Sequence, residues 1–198
     1  MNELINLVLV MSCFASVFIL GELTMRFYSD LFISRKMVHI ASAIVASFLP
    51  FFISWMMAVF VGFIFCLILL LNLRFDYLKS VKQLPDNYGS VLFPLGLILA
   101  ALIDWTHFST SVLILGFADG FAGLIGYCVS RQTKHKTWVG SMVFFIVTFF
   151  ILLATKYQFS WWIVVVSLVL MIVELKSVNG WDNLLVPIVA SVLVRILV

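Results

Sequence analysis

The chain has 198 residues, of which 64% are hydrophobic and 11% charged, against roughly 25% charged in an average soluble domain. Its mean hydropathy is +1.21 and its formal net charge +3. A soluble domain of this size cannot hide so many apolar side chains, which excludes a soluble enzyme, a disordered tail and a nucleic-acid module and leaves an all-α polytopic membrane protein.

A spanning helix takes about 20 apolar residues, so eight would use roughly 160 and leave short connections. The apolar runs predict about eight spans, over 4–23, 37–53, 55–73, 90–104, 109–129, 140–155, 161–175 and 184–198. Met1 to Asn6 carries no Lys or Arg, so the first run is expected to be a membrane helix rather than a signal peptide. The second and third spans join tightly around Pro50, and the last is short. Cys13, Cys66 and Cys128 lie far apart and form no CxxC pair, so each is expected to be a buried apolar thiol rather than a zinc ligand or half of a disulfide.

Lys and Arg test this partition. The connections 24–36, 74–89, 130–139 and 176–183 hold ten of the twelve basic residues; the intervening connections hold Lys156, and the last span holds Arg195. Basic residues accumulate on the cytoplasmic side of a membrane. The four basic connections are therefore expected in the cytosol, and both termini on the non-cytoplasmic side.

Asp119 sits near the middle of the fifth span, in Gly116-Phe-Ala-Asp-Gly-Phe-Ala-Gly123. An acid at the centre of a membrane helix costs about 2.5–3.5 kcal/mol on insertion scales. A partner, an ion or a wet cavity offsets that cost. On an α-helix Asp119, Ala122, Gly123 and Gly126 share one face, with one carboxylate and almost no side-chain bulk. A phosphate or metal–phosphate group can approach the backbone there. The same small residues fit small-xxx-small helix packing, which accounts for the glycines but not for the acid.

The connection after it carries Arg131, Lys134, Lys136 and Thr137, then Gly140-Ser141 at a helix start. Lysines supply point charge and free N–H groups at a helix N-terminus bind phosphate oxygens; an ordinary cytosolic loop has the same composition. Glu174-Leu-Lys-Ser-Val-Asn-Gly-Trp-Asp-Asn183 brings two acids and two asparagines to a membrane boundary. These are hard oxygen ligands suited to Mg²⁺, or a polar turn. Arg35, Lys36 and His39 lead into the second span; His39 is open as a base, a phosphate ligand or a polar interface residue. Asp86 caps a helix or binds metal. Asp104 and His107 fall in an outward connection, apart from the other clusters. Together the acids, basic connections and Gly-Ser helix starts on one face suit a metal-assisted reaction between a cytosolic nucleotide and a lipid headgroup. Neither GxxxxGK[ST] nor a protein-kinase signature occurs, so a nucleotide site has to be of another type.

Asp119-Gly-Phe-Ala122-Gly-Leu-Ile-Gly126, Lys136-Thr137-Trp-Val-Gly140-Ser141, Glu174 and Gly180-Trp-Asp182-Asn183-Leu-Leu-Val-Pro187 are similar in order and spacing to a known pattern. The chain resembles the integral-membrane CTP-dependent lipid kinases (dolichol kinase, phytol kinase and the CTP-dependent diacylglycerol kinase), themselves similar to phosphatidate cytidylyltransferase. Arg35-Lys36-xx-His39 and Gly89-Ser90-Val-Leu-Phe-Pro94 look like further elements, so the resemblance covers roughly residues 35–190. It departs at Ser130, where the family often has Gly, and at Val139, where Glu is common.

The resemblance implies that residues 1–198 form a single integral-membrane catalytic domain. It would move the γ-phosphate of CTP onto the hydroxyl of a polyprenol, a phytol-like isoprenoid or diacylglycerol. It implies Mg²⁺ held by Asp119, Asp182 and Glu174, with Asp119, His39 and Glu174 as catalytic residues. Nucleotide contacts would come from Arg35, Lys36, Gly120, Ala122, Gly123, Gly126, Lys134, Lys136, Thr137, Gly140, Ser141 and Asn183. Within that set Lys134 and Lys136 would neutralise phosphates, and Gly140 and Ser141 would offer N–H groups. The expected partners are CTP, the lipid alcohol and the bilayer, with no nucleic acid; a homodimer is left open. The active site is expected to face the cytosol, in the cell membrane if the source is bacterial. The alternatives are cytidylyl transfer from CTP to phosphatidate, and a small transporter or scramblase with Asp119 as an ion relay.

Overall fold

The computed structural model describes residues 3–28, 30–82, 87–130, 136–156 and 159–196. The helices α1 (Glu3–Tyr28), α2 (Leu31–Ser47), the short α3 (Leu49–Phe52), α4 (Trp55–Phe75), α5 (Gly89–Ile103), α6 (Phe108–Leu113), α7 (Gly120–Ser130), α8 (Trp138–Lys156), α9 (Trp161–Lys176) and α10 (Asp182–Ile196) follow in chain order, with no strand among the described residues. A π-helical turn, Ile114–Asp119, joins α6 to α7 as one continuous rod.

Among the described residues five stretches are long and apolar enough to cross a membrane: Glu3–Phe27, Leu31–Phe52, Trp55–Phe75, Phe108–Ser130 and Trp138–Thr155. The helices α5, α9 and α10 are apolar but only 15, 16 and 15 residues long. Large apolar side chains such as Phe51, Phe60, Phe63, Leu67 and Phe150 face outward, as suits a hydrocarbon solvent. Cys13 and Cys128 share that outer surface and Cys66 alone of the three is buried, so the expectation of three buried thiols is corrected: in lipid an apolar thiol gains nothing by turning inward.

The second span starts earlier than its hydropathy indicates. Asp30 caps α2, its Oδ1 accepting from the Ile33 N–H at 3.1 Å, which satisfies one of the orphan donors at the helix start. The span then breaks after Ser47, and Pro50 sits in the first turn of α3, where its missing N–H costs no bond.

Bonds between connections sort them to two ends. The Ser54 hydroxyl donates to Glu3 Oε1 at 2.7 Å, and Arg195 Nη1 donates to the Ile103 carbonyl at 3.3 Å. At the other end the Ser80 N–H donates to Glu22 Oε1 at 2.8 Å and the Tyr88 N–H to the Asn179 carbonyl at 2.9 Å. Exposed Trp55, Trp161 and Trp162 mark the first end, Trp138 and Trp181 the second, the positions that amphipathic indoles favour at membrane interfaces.

Small residues set the closest helix contacts. A Cβ on Gly96 of α5 would stand 2.3 Å from the Asn183 carbonyl oxygen and 2.9 Å from Pro187 Cγ of α10. Backbone cannot yield as a flexible side chain does. Gly96→Val is therefore expected to destabilise the protein by about 1–3 kcal/mol, read as a lower melting temperature in detergent. An unchanged melting temperature would mean that α5 and α10 do not meet at this residue.

Candidate active site

Three helix ends bring three carboxylates together. Asp119 closes the π-helical turn, Glu174 lies in the last turn of α9, and Asp182 opens α10. All three are buried, and one carboxylate oxygen from each lies within 4.8 Å of the others. The environments differ. Asp182 gains from the positive end of the α10 dipole, whereas Glu174 sits at the negative end of α9 and depends more on a cationic partner.

Two lysines supply the compensating charge. Lys136, just ahead of α8, donates to Glu174 Oε1 at 2.5 Å and also to Asp182 Oδ2. Burial works against its ammonium form, but the carboxylates of Asp182, Asp119 and Glu174 outweigh burial and hold its pKa above the ordinary lysine value. Lys36 of α2 donates to Asp119 Oδ2 at 2.7 Å and to the Asp119 carbonyl at 3.3 Å. His39, one turn on, places Nε2 3.3 Å from the same Oδ2 and 3.1 Å from the Leu115 carbonyl. With two acceptors facing it, Nε2 carries the proton, and in the neutral ring Nδ1 is then the acceptor.

These groups line a cavity of about 410 Å³, within the usual range for a small-molecule site. Arg35, Lys36 and His39 contribute from α2, Asp119 from the π-helical turn, and Ala122, Gly123 and Gly126 from α7. Lys136, Thr137, Gly140, Ser141, Glu174, Asp182 and Asn183 complete the set of sequence-based candidates on its wall. Three candidates stand apart. Lys134 lies outside the described residues, as does Asp86. Gly120 is not on the wall: a Cβ there would meet Ile40 Cγ1 at 2.3 Å, so this glycine serves the contact between α2 and the start of α7.

The other glycines divide similarly between packing and room for the site. A Cβ on Gly116 would meet Ala43, and one on Gly123 would meet Lys36 Cε at 2.4 Å, so Gly123 clears the path by which Lys36 reaches Asp119. The expected free N–H groups at the start of α8 are already bonded. The Gly140 N–H donates to Thr137 Oγ1 at 3.0 Å and the Ser141 N–H to the Thr137 carbonyl at 3.0 Å. What Ser141 offers is its hydroxyl, which donates to Glu174 Oε2 at 3.4 Å.

Asn87 is a residue that the sequence did not single out. Its Oδ1 accepts from Arg35 Nη2 at 3.2 Å and from the Gly89 N–H at 2.9 Å, tying the start of α5 to α2. An Asn just ahead of a Gly-Ser helix start was the available signal. Opposite it, Asn179 and Gly180 adopt positive φ of 56° and 84°, and a Cβ on Gly180 would lie 2.4 Å from the Gly89 nitrogen. Only glycine fits both that backbone region and that contact. The turn delivers Asp182 and Asn183 to the cavity. Asn183 Nδ2 donates to the Gly89 carbonyl at 2.9 Å, while its buried Oδ1 has no hydrogen-bond partner among the described residues.

Fold and site define an integral-membrane α-helical protein with a buried, charged cavity at the end where its basic connections meet. The chain is similar to probable phytol kinase 1, chloroplastic, of Glycine max, at 31% identity over 173 residues, covering 74% of this chain and 56% of that protein. The chain thus spans little more than half the length of the curated relative it matches. No family model matches the chain, and no solved structure does.

Proposed function

We propose that the protein is an integral-membrane kinase that transfers the γ-phosphate of CTP to the hydroxyl of a membrane lipid alcohol. The observation that carries this reading is the convergence of Asp119, Glu174 and Asp182 with Lys36, Lys136 and Arg35 in one cavity of an apolar helix bundle. The likeness to a phytol kinase supports it. The donor set fits Mg²⁺: three buried carboxylates with one oxygen each within 4.8 Å of the others are hard oxygens of the kind that ion takes together with substrate phosphates. Asp119, Glu174 and Asp182 would hold it, and the ion would supply neutralisation of the phosphate charge.

The chain's own residues do the rest by positioning and charge. Arg35, Lys36, Lys134 and Lys136 hold phosphate oxygens, and Lys36 and Lys136 turn from their carboxylates to do so. His39, with Nε2–H anchored on Leu115 and Asp119, takes the substrate hydroxyl proton at Nδ1. The alcohol oxygen bonds to the γ-phosphorus as the bond from that phosphorus to the bridging oxygen breaks, leaving CDP. In this reading eight helices cross the membrane, α5, α9 and α10 being accommodated by local thinning. The basic connections and the cavity face the cytosol, and both termini face away from it.

Purified protein with Mg²⁺ and labelled CTP tests the assignment. The γ-label is expected to move to a prenol, phytol or diacylglycerol, and EDTA is expected to lower that rate at least roughly 100-fold. Movement of α-label into phosphatidate would replace phosphoryl transfer with cytidylyl transfer. No transfer of either label from folded protein would remove the enzymatic reading.

A further inference from the structure

A second, apolar cleft adjoins the charged cavity deeper in the bundle. Phe18, Ser42, Leu69 and Phe93 line both, so the two meet at a neck one helical turn beyond His39. The His39 ring stands edge-on to Phe93 there, with centroids 4.8 Å apart. From the neck the cleft follows α4 from Leu69 to Ala58 and α5 from Phe93 to Ala101, a length of about 12–16 Å at 1.5 Å per residue. Ser42 is the one polar side chain on its wall among the described residues.

The cleft is narrow. Its volume is about 50 Å³, and a water takes about 10–15 Å³ on that measure. Spread over that length, this is room for only about three to five waters. One hydrocarbon chain fits; two side by side do not. Between α1 and α4 its wall is aromatic, with Phe65 tilted against Phe14 at 4.7 Å and stacked on Phe18 at 5.8 Å. Phe18 and Phe65 are half-buried, so this aromatic wall borders the hydrocarbon around the bundle.

We propose that this cleft holds the hydrocarbon tail of the acceptor, and that it selects a single-chain lipid alcohol over a two-chain diacylglycerol. The inference rests on reading the charged cavity as the phosphoryl-transfer site. It fixes the acceptor's direction: the hydroxyl lies at the neck beside Ser42 and His39, and the tail runs away from the carboxylates toward Ala101. A diacylglycerol in the same pose keeps one acyl chain outside the cleft and loses its burial.

Photolabelling of the wild-type protein in nanodiscs tests this without needing turnover. A long-chain alcohol bearing a diazirine along its tail is expected to label α4 and α5 peptides containing Phe65 and Leu97. Phytol is expected to compete, and diacylglycerol at equal concentration to compete at least roughly tenfold less well. Label confined to outward-facing residues, or equal competition by diacylglycerol, would overturn the proposal. Ala101→Phe fills the deep end, and is expected to lower the kcat/KM ratio of long-chain to short-chain prenols roughly tenfold; equal loss on both would also overturn it. A labelled cleft in a protein that phosphorylates nothing would keep the tail site and remove the kinase reading. Phosphorylated phytol without label in the cleft would do the reverse.

Discussion

Asp119→Asn is expected to lower the transfer rate roughly 10²–10³-fold, the effect of removing one preorganised electrostatic group from an active site, while the helices stay assembled. The amide keeps the shape of the carboxylate and can still accept from Lys36 and His39. It cannot supply the negative charge that completes a carboxylate triad whose oxygens lie within 4.8 Å of one another. Lys36 loses its anionic partner, but it borders the open cavity and can turn its ammonium toward water there, so the variant escapes the full cost of a stranded buried charge. The check is the transfer rate beside the far-ultraviolet spectrum and the elution volume. Asp104→Asn is the matching control. Asp104 pairs with His107 at 2.7 Å at the opposite end of the bundle, and its loss is expected to leave transfer unchanged. Equal effects of the two substitutions would mean that Asp119 matters through the fold alone.

Lys136→Met carries the second large effect, and it is on stability. Lys136 is the cation shared by Glu174 and Asp182. Its removal leaves two buried carboxylates facing each other, with Asp119 close by, and costs about 3–5 kcal/mol as the breaking of a buried pair does. Mg²⁺ is expected to restore part of that loss, because an ion that binds only the folded state stabilises it by mass action. Thermal unfolding of wild type and variant, with and without Mg²⁺, checks this: the variant melts lower and gains more from the ion. A variant that melts lower and gains nothing would mark the carboxylates as a lysine-held network rather than a metal site.

The apolar runs and the alternation of basic connections made the helical bundle legible in the sequence, because span length and cation bias each follow from the bilayer. They misplaced the start of α2, where the Asp30 cap outweighs hydropathy. They also gave no sign of the π-helical turn, which repositions Asp119 without a break in hydrophobicity. The face bearing Asp119, Ala122, Gly123 and Gly126 was legible from helical spacing, and all four line the cavity. The meeting of Asp119 with Glu174 and Asp182 was expected only from the resemblance, since three separate helices deliver them and no local spacing encodes it. The partners of the lysines were hidden for the same reason. Buried carboxylates need cations, so the fold sets Lys36 and Lys136 on them. The bonded N–H groups at the start of α8 could have been foreseen: Thr137 stands three residues before Gly140, the spacing of a side-chain cap. The tail cleft is lined mainly by α4 and α5, with one or two residues each from α1, α2, α3 and α6, and no motif marks it.

The most direct measurement is the mass spectrum of lipid extracted after the purified protein has been incubated with CTP, Mg²⁺ and phytol. The expected result is the phytol monophosphate ester with wild type, and recovery of phytol unchanged with Asp119→Asn. Phytol and other prenols recovered unchanged from folded wild-type protein that binds CTP would contradict the account.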